Sequence, residues 1–201
     1  MEFVKEFARF LHENEIIKFG DFTLASGKKS SYYVDLRLVP SYPQEFRKMI
    51  KYLEKDIEES IGLDNFDSIV SVPTGGLVIA SALAIETVKP LIYVRSKPKD
   101  YGTLKMIEGK IQQGMTVLMI DDVATTGGSV VNAIKSLKDA DISIKDAYVM
   151  VNRMEGANKA LEDLGVKLHS ILDILKISNA LHEQGIIDKE TLTKVKNQVE
   201  E

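Results

Sequence analysis

The chain of 201 residues contains no cysteine and no tryptophan, and it has only three histidines. Without cysteine it can have neither a disulfide framework nor a thiolate metal site. The histidines (His12, His169 and His182) do not have the spacing of metal ligands. No apolar run approaches the roughly 20 residues that cross a bilayer. The net charge of -4 argues against a protein that binds nucleic acid or a membrane surface through a basic face.

The first 20 residues carry acids and show helical periodicity, so we do not expect them to be a signal peptide. With 44% hydrophobic residues, the chain is long enough for one domain with a full core. We therefore expect a cytoplasmic protein with a single domain over residues 1–201. Its chemistry is expected to rest on carboxylates, lysines and backbone amides.

Short apolar segments alternate with amphipathic segments over most of the chain. An N-terminal helix is followed by two short β-like pieces around residues 26–29 and by a helix over 43–60. The remaining segments are typical of βαβ units, which predicts a parallel sheet with helices on both faces. The predicted strands are 67–72, 90–95, 116–122, 146–152 and 167–174, and the predicted helices are 77–88, 129–138, 156–164 and two C-terminal stretches.

One long polar interval interrupts this alternation. Residues 96–114 (SKPKDYGTLKMIEGKIQQG) lie between two predicted buried strands and include four lysines. A loop of this length inside a domain is usually functional. The lysines favour a mobile lid that binds an anion, and the alternative is a merely solvated connection.

A predicted buried strand ends on two adjacent carboxylates, Asp121 and Asp122, in the stretch VLMIDDVATTGGSV (117–130). Adjacent carboxylates repel each other, and burying them costs free energy unless something pairs with them. In open parallel sheets, ligands bind beyond the carboxyl ends of the strands. The two carboxylates are therefore expected to accept hydrogen bonds from hydroxyl groups or to face a cation.

The loop that follows the two acids is suited to an anion. Gly127 and Gly128 allow a tight turn, so several N–H groups can point at one spot at the positive end of the next helix. Thr125, Thr126 and Ser129 add hydroxyl donors. A ribose 5-phosphate would use both features, with its phosphate in the loop and its 2- and 3-hydroxyls on the aspartates.

Other acid-bearing or glycine-bearing sites fit less well. The chain has neither the G-x-x-x-x-G-K-[ST] sequence of a P-loop nor the G-x-G-x-x-G turn of a dinucleotide site. A response-regulator pocket would place its paired acids after the first strand. The remaining alternative is a pair of solvated acids before a helix N-terminus, where acids are favoured.

The stretch 117–130 closely resembles the phosphoribosyl-diphosphate (PRPP) signature of the type I phosphoribosyltransferases. Further segments are similar to parts of the orotate phosphoribosyltransferases within that group, and they occur in the family's order over nearly the whole chain. They are FGDFTLASGKKSSYYVDLR (19–37), similar to the orotate-binding segment; VPTGG (72–76), similar to a pyrophosphate loop; YVRSKPKDYGTLKMIEG (93–109), similar to the catalytic loop; and VNRMEGA (151–157), similar to the strand end with an arginine for the base.

The resemblance implies an α/β type I phosphoribosyltransferase fold, with a small N-terminal hood formed with residues 1–40. The implied reaction transfers the 5-phosphoribosyl group from PRPP to orotate and gives orotidine 5-phosphate and pyrophosphate. Mg²⁺ is the implied cofactor, bound through PRPP. The resemblance also implies a homodimer in which Lys99, on the loop 96–114 of one subunit, completes the site of the other.

Carried over to this chain, the resemblance assigns three groups of residues. The implied catalytic residues are Lys99, Asp121 and Asp122. The implied PRPP contacts are Thr74, Gly75, Arg95, Lys99, Tyr101, Asp121, Asp122, Val123, Ala124, Thr125, Thr126, Gly127, Gly128 and Ser129. The implied orotate contacts are Lys28, Tyr33, Thr125 and Arg153.

The chain departs from the family pattern at four positions. Ala25 and Gly75 stand where lysine occurs in the family, Ser96 where a second basic residue is common, and Tyr101 where histidine is common. The candidates to supply the missing charge are Lys28, Lys29 and Lys97.

Arg95 and Arg153 also stand out without the resemblance. Only five of the 26 basic residues are arginines, and these two lie at predicted strand ends. A guanidinium suits the planar carboxylate edge of orotate better than an ammonium does. The alternative for Arg153 is a surface ion pair with Glu155 or Glu162.

Two rival functions would use the same PRPP site. A purine phosphoribosyltransferase would share residues 121–129 but has no need of the segment 28–37 or of Arg153. A regulator that senses PRPP and binds nucleic acid would need a basic surface, whereas this chain is acidic.

Overall fold

The computed structural model of the protein describes residues 2–24, 27–95 and 106–200, and this part of the chain forms eight strands and seven α-helices. The strands are β1 (Ile17–Thr23), β2 (Lys29–Val34), β3 (Ser68–Ser71), β4 (Leu91–Val94), β5 (Ile107–Glu108), β6 (Thr116–Ala124), β7 (Ser143–Asn152) and β8 (Lys167–Asp173). The helices are α1 (Glu2–Glu13), α2 (Pro43–Ser60), α3 (Gly75–Thr87), α4 (Gly128–Asp139), α5 (Ala157–Glu162), α6 (Ile174–Glu183) and α7 (Lys189–Glu200).

Six strands form the central sheet in the order β5-β4-β3-β6-β7-β8. The pairs from β4 to β8 are parallel, and β5 is antiparallel to β4. The predicted parallel α/β sheet is therefore confirmed, with one antiparallel strand at its edge. Because the five parallel strands point the same way, their carboxyl ends lie along one edge of the sheet.

Strand β5 lies within the interval 96–114 that the sequence predicted to be a loop. Its pairing with β4 is extended by a hydrogen bond from the backbone N–H of Arg95 to the carbonyl oxygen of Met106 (2.8 Å). The predicted loop is therefore too long at its C-terminal end, since a two-residue strand is difficult to recognise from hydrophobic periodicity. Residues 96–105 lie outside the described residues.

The inner strands are apolar on both faces because helices cover both sides of the sheet. On β6, Leu118 and Ile120 pack into one core, which also contains the apolar faces of α2, α3 and α6. Val117 and Met119 face the opposite core, which is closed by α4 and by Leu161 of α5. This two-sided burial explains why the strands appear in the sequence as uninterrupted apolar runs. No helix in the described ranges is long and apolar enough to cross a membrane.

Strand β6 continues further than the sequence indicated. Its pairing with β3 ends at Ile120, opposite Ser71, whereas its pairing with β7 continues to Ala124, opposite Asn152. Beyond Ile120, β6 therefore has a neighbouring strand on one side only. The start of α3 occupies the other side, and this arrangement shapes the site.

The N-terminal hood is an antiparallel hairpin of β1 and β2, in which Ile17 pairs with Val34 and Thr23 pairs with Lys29. An isolated two-stranded hairpin is marginally stable at best. Here β1 buries Ile17 in the first core and β2 buries Tyr32 there. Helix α7 also packs against β2, so the hood depends on the last helix of the chain.

Candidate active site

The carboxyl edge of the sheet brings the predicted site residues together in strand order. Arg95 follows β4, the turn 72–76 follows β3, the two acids lie on β6, and Arg153 follows β7. Neighbouring strands are about 4.8 Å apart, so β4 and β7, the strands that precede the two arginines, are separated by roughly 14 Å. The acids lie between them, so negative charge at the centre of this edge is flanked by positive charge on both sides.

Asp121 is buried, at 6% exposure, and Asp122 is partly buried. Asp121 Oδ1 accepts a hydrogen bond from the Asp122 N–H (3.0 Å), and Asp122 Oδ1 accepts one from the Val123 N–H (2.9 Å). Burial, and then the neighbouring charge of Asp122, raise the pKa of Asp121 to about 8. Asp121 is thus not one of two solvated acids, which was the alternative interpretation.

The two acids fit because the first residues of α3 have no side chains. A Cβ on Gly75 would collide with the Asp122 carboxylate, and a Cβ on Gly76 would lie 2.8 Å from the Asp121 Cα. The positive end of the α3 dipole lies beside both negative charges and favours them. Gly75 is one of the departures from the family pattern, and in this conformation a lysine there would displace Asp122. Gly76 was not predicted as a site residue.

The loop after the acids turns at Gly127, which has a φ of +79° and precedes α4. That conformation favours glycine, and a Cβ there would also lie 3.1 Å from Leu161 Cδ1. The Thr125 carbonyl accepts a hydrogen bond from the Ala157 N–H (3.1 Å), which ties the loop to the start of α5. Helix α4 begins one residue earlier than predicted, and the N–H groups of its first turn have no partner within the helix. This loop can therefore receive an anion.

Arg153 is buried at 5% exposure. Its Nε and Nη2 lie 3.0 and 2.8 Å from Glu155 Oε1, and Nη2 also donates to Ser30 Oγ (3.1 Å). The Tyr32 ring packs against the guanidinium, with 4.7 Å between Arg153 Cζ and the ring centroid. The pair with Glu155 that was considered for Arg153 does exist, but it is an interior pair and not a surface one.

Arg153, Lys28 and Glu155 form a basic cluster in which both cations pair with the Glu155 carboxylate. The Glu155 side chain is only 3% exposed. Burial by itself would raise the pKa of Glu155, but Arg153, a hydrogen bond from the Tyr32 hydroxyl (3.0 Å) and Lys28 lower it overall. Lys28 Nζ lies 3.3 Å from Glu155 Oε2. The cluster thus contains two cations and one carboxylate, and this composition suits an anionic ligand.

The hood supplies one predicted residue, Lys28, and two unpredicted residues, Ser30 and Tyr32, to this cluster. Lys28 belongs to it, whereas Lys29 donates to Thr23 within the hairpin (2.8 Å). Tyr33 packs against Phe22, with 5.9 Å between the ring centroids. Its neighbour Tyr32 makes the contact with Arg153, because successive side chains of a strand point to opposite faces. The role of Tyr33 in binding orotate stays a prediction.

Arg37, the last residue of the segment 19–37, was also not predicted as a site residue. It forms a two-point pair with Asp35, with Nε and Nη2 at 2.6 and 2.7 Å from the two carboxylate oxygens. These hydrogen bonds and the charge of Asp35 raise the pKa of Arg37, with smaller contributions from Tyr33 and Asp122. The end of the hood is therefore within electrostatic reach of the acid pair.

Arg95 is half-buried at the other end of the site, and its Nη1 lies 3.5 Å from Glu108 Oε1 on β5. Lys99 and Tyr101, predicted to contact PRPP, lie outside the described residues, as do Ala25, Ser96 and Lys97. Of the candidates for the missing charge, Lys28 is thus the one found in the basic cluster.

The oxygen donors of the acid pair suit a hard cation such as Mg²⁺. In the described ranges, however, no group of three or more acidic or histidine side chains could hold a metal ion. A cation here would need most of its ligands from a bound substrate, and Mg²⁺ held through PRPP stays a prediction.

The raised pKa of Asp121 predicts that Asp121→Asn stabilises the protein without substrate. Because the folded-state pKa is raised, ionised Asp121 destabilises the fold, and this cost is absent below about pH 4 and complete above about pH 8. A rise of the pKa from 3.8 to about 8 corresponds to about 6 kcal/mol at most. Urea unfolding at pH 8 should show a gain of this order in the free energy of unfolding, and at pH 5 the gain should fall by more than half.

The matched control is Asp163→Asn, because Asp163 is exposed and pairs only with Lys159 (3.4 Å) among the described residues. It should change stability by less than about 0.5 kcal/mol at either pH. A gain for Asp121→Asn that is the same at pH 5 and pH 8 would show that Asp121 ionises normally.

Known proteins are similar to this chain over most of its length. The chain matches the Phosphoribosyl transferase domain family over residues 41–175. It is 49% identical to the orotate phosphoribosyltransferase of Cenarchaeum symbiosum over 97% of this chain and 98% of that one, and 40% identical to that of Staphylothermus marinus over 96% and 93%.

Two solved structures share the fold. The crystal structure of orotate phosphoribosyltransferase from Aeropyrum pernix has a TM-score of 0.77 and 34% identity, and the match covers 90% of this chain and 99% of that one. The structure of Leishmania donovani UMP synthase has a TM-score of 0.83 and 30% identity, and the match covers 97% of this chain and 42% of that one. The chain therefore belongs to the orotate phosphoribosyltransferases, a branch of the phosphoribosyl transferase family.

Proposed function

We propose that this protein transfers the 5-phosphoribosyl group from PRPP to orotate and releases orotidine 5-phosphate and pyrophosphate. The observation that carries the proposal is the basic cluster beside the acid pair, in which the buried Arg153 and the exposed Lys28 both pair with the buried carboxylate of Glu155. The acid pair and the loop before α4 suit the ribose and phosphate of PRPP. The cluster adds a positive site for an anionic base one strand away.

The acid pair binds the ribose in this proposal. The carboxylates of Asp121 and Asp122 accept hydrogen bonds from the 2- and 3-hydroxyls, while the 5-phosphate lies among the N–H groups and hydroxyls of residues 125–129. Hydroxyl donors lower the cost of keeping Asp121 ionised, because hydrogen bonds to a carboxylate favour its charged form. Binding of the ribose thus offsets part of the free-energy cost of the ionised Asp121.

The reaction breaks the bond between the ribose C1 and the pyrophosphate oxygen. Positive charge develops on the sugar and negative charge on the leaving group, so the carboxylates beneath the ribose stabilise the first. Arg95 and Lys99, the latter from the predicted loop 96–114, stabilise the second. Mg²⁺, when bound through PRPP, supplies further positive charge to the pyrophosphate. Closure of that loop would shield the reactive sugar from water.

Orotate is bound by Arg153 and by Lys28 in this proposal. Glu155 and Ser30 hold the Nε and Nη2 of Arg153, and within the described residues Nη1 has no acceptor. That nitrogen is available for the orotate carboxylate, while Thr125 and Tyr33 are the proposed neighbours of the ring. A fixed guanidinium recognises a planar carboxylate by geometry as well as by charge.

A panel of bases tests the reaction directly. With PRPP and Mg²⁺, we expect pyrophosphate release with orotate and little or none with uracil, adenine, hypoxanthine or guanine, because only orotate carries a carboxylate for the basic cluster. Pyrophosphate release would be followed with a coupled assay. Preference for a purine would favour the purine phosphoribosyltransferase alternative, and inactivity together with tight binding of labelled DNA or RNA would favour a regulator.

Arg153→Lys tests the base site, because lysine keeps the charge but loses the planar fork. We expect the KM for orotate to rise at least about tenfold, since truncating one member of a hydrogen-bonded charge pair is costly. The KM for PRPP should change by less than about twofold, since Arg153 has no part in binding PRPP. Steady-state kinetics with each substrate varied in turn gives both values. Equal effects on both KM values would mean that Arg153 only supports the fold.

A homodimer is proposed from the exposed side of α3. Val78, Ile85 and Val88 are 41, 81 and 88% exposed on or next to this helix, which begins at the acid pair with Gly75. Contiguous exposed apolar side chains mark interaction surfaces. A second copy packed on this side would lie next to the opening of the site, where its loop with Lys99 could complete the site.

Mixed dimers test whether the loop is shared between subunits. One chain carries Lys99→Ala, and the other carries both Asp121→Asn and Asp122→Asn, each expected to lose at least about 100-fold in kcat/KM as a homodimer. In a heterodimer, one site receives both lesions and the other receives neither. Co-refolding an equal mixture should therefore restore about a quarter of wild-type activity.

The aspartate variant is preferable to Arg153→Ala, since the latter would leave Glu155 buried without its cation. Native mass spectrometry of the mixture confirms that heterodimers have formed. If they have formed and no activity returns, each loop serves its own subunit.

A further inference from the structure

Helix α7 reaches the basic cluster through one side chain, Gln198. Its Oε1 accepts hydrogen bonds from the Ser31 N–H (2.7 Å) and from Ser31 Oγ (2.9 Å) on β2. Its Nε2 donates to Ser30 Oγ (3.1 Å) and to Glu155 Oε1 (3.2 Å). One amide near the end of the chain thus joins the hood to the segment after β7.

The two acceptors of Gln198 Nε2 are also the two partners of Arg153. Glu155 Oε1 receives the Nε and Nη2 of Arg153, and Ser30 Oγ receives Nη2 as well. Glu155 Oε1 also accepts from the Tyr32 hydroxyl (3.0 Å). Among the described residues, no hydrogen bond joins Gln198 to Arg153. Gln198 can therefore affect the guanidinium only through Glu155 and Ser30.

We propose that Gln198 is a positioning residue for orotate, fixing the Arg153 guanidinium through Glu155 and Ser30. This inference rests on the proposed function, in which Arg153 binds the orotate carboxylate. It assigns to the C-terminal helix a role in base recognition, although the sequence around Gln198 carries no feature of a binding motif.

The chemistry of the side chain fits this role. The position needs a donor toward Glu155 and Ser30 and an acceptor toward Ser31, and a primary amide supplies both. A glutamate here would place a second carboxylate against Glu155, and a lysine would offer no acceptor to the Ser31 N–H. A hairpin of two strands does not hold itself rigidly. The anchor on α7 therefore keeps Ser30 at a fixed distance from Arg153.

Gln198→Met tests the proposal, because methionine has a similar size and keeps the packing but cannot make these hydrogen bonds. We expect the KM for orotate to rise about tenfold, the effect of losing one hydrogen bond to a charged group. The kcat and the KM for PRPP should each stay within about twofold of the wild-type values, since the acid pair and its loop are unchanged. The matched control is Asn197→Ala on the exposed side of the same turn, which should leave all three constants unchanged.

A double-mutant cycle separates positioning from a general loss of stability. If Gln198 acts through Arg153, adding Gln198→Met to Arg153→Lys should raise the orotate KM by less than about twofold beyond the single Arg153→Lys variant. Multiplicative effects of the two changes would overturn the proposal. An unchanged orotate KM in folded Gln198→Met, or equal increases in the KM for orotate and PRPP, would overturn it as well.

A milder variant decides the question if Gln198→Met does not fold. Ser31→Ala removes one hydrogen bond to Gln198 and leaves the backbone bond, so the orotate KM should rise about threefold with kcat unchanged. An unchanged orotate KM in Ser31→Ala would then overturn the proposal. Turnover of orotate by the wild-type protein is measured first: its absence contradicts the proposed function, whereas a normal wild type with unaffected variants contradicts only the role of Gln198.

Discussion

Two adjacent carboxylates on a strand that is buried on both faces impose the constraint around which this site is organised. Asp121 cannot be solvated like a surface acid, and its neighbour Asp122 repels it, so its ionised form is disfavoured in the folded protein. The surrounding structure reduces this cost without removing it. Gly75 and Gly76 bring the start of α3 against the carboxylates, and the positive end of that helix favours their charge.

The site has an acidic half and a basic half, which lie side by side. Nearby groups offset the negative charge of the acid pair only in part. The cluster of Lys28, Arg153 and Glu155 contains two cations and one carboxylate. Each half is adjacent to the carboxyl end of a neighbouring strand, β6 or β7, so their separation is set by the strand spacing. A ligand with hydroxyls at one end and a carboxylate at the other would satisfy both. In the proposed reaction, the spacing of these two strands therefore sets the distance between the ribose and the base.

The segments proposed to bind the base depend more on the rest of the fold than the sheet does. The hood is a hairpin held in place by α7, and its contact with Arg153 goes through Ser30 and Tyr32. An arginine buried with its carboxylate partner contributes little to stability by itself, since desolvation offsets the attraction. The fixed orientation of the guanidinium is its more important property here. Through its hydrogen bonds to Ser30 and Glu155, Gln198 links the partners of Arg153 to the last helix of the chain.

The alternation of apolar segments was sufficient to predict the parallel sheet and most of its helices, because burial on both faces leaves a pattern in the sequence itself. Strand β5 was missed because two residues are too few for any periodicity. The continuation of β6 to Ala124 was missed because the acids looked like an end of the strand. Whether a strand continues past a charged residue depends on its neighbour, and here the neighbour is β7.

The sequence by itself determined the chemistry of the acid pair and of the glycine-rich turn, since adjacent residues carry all the groups that this part of the site requires. The order of residues along the chain is enough to predict such a site, because the strand, the loop and the helix that form it follow one another directly. Only the tertiary structure decided that Tyr32 rather than Tyr33 packs on Arg153, and that Gln198 contacts Glu155 and Ser30. These contacts join residues far apart in the chain. They depend on strand register and helix packing, which are properties of the whole fold and leave no local mark in the sequence.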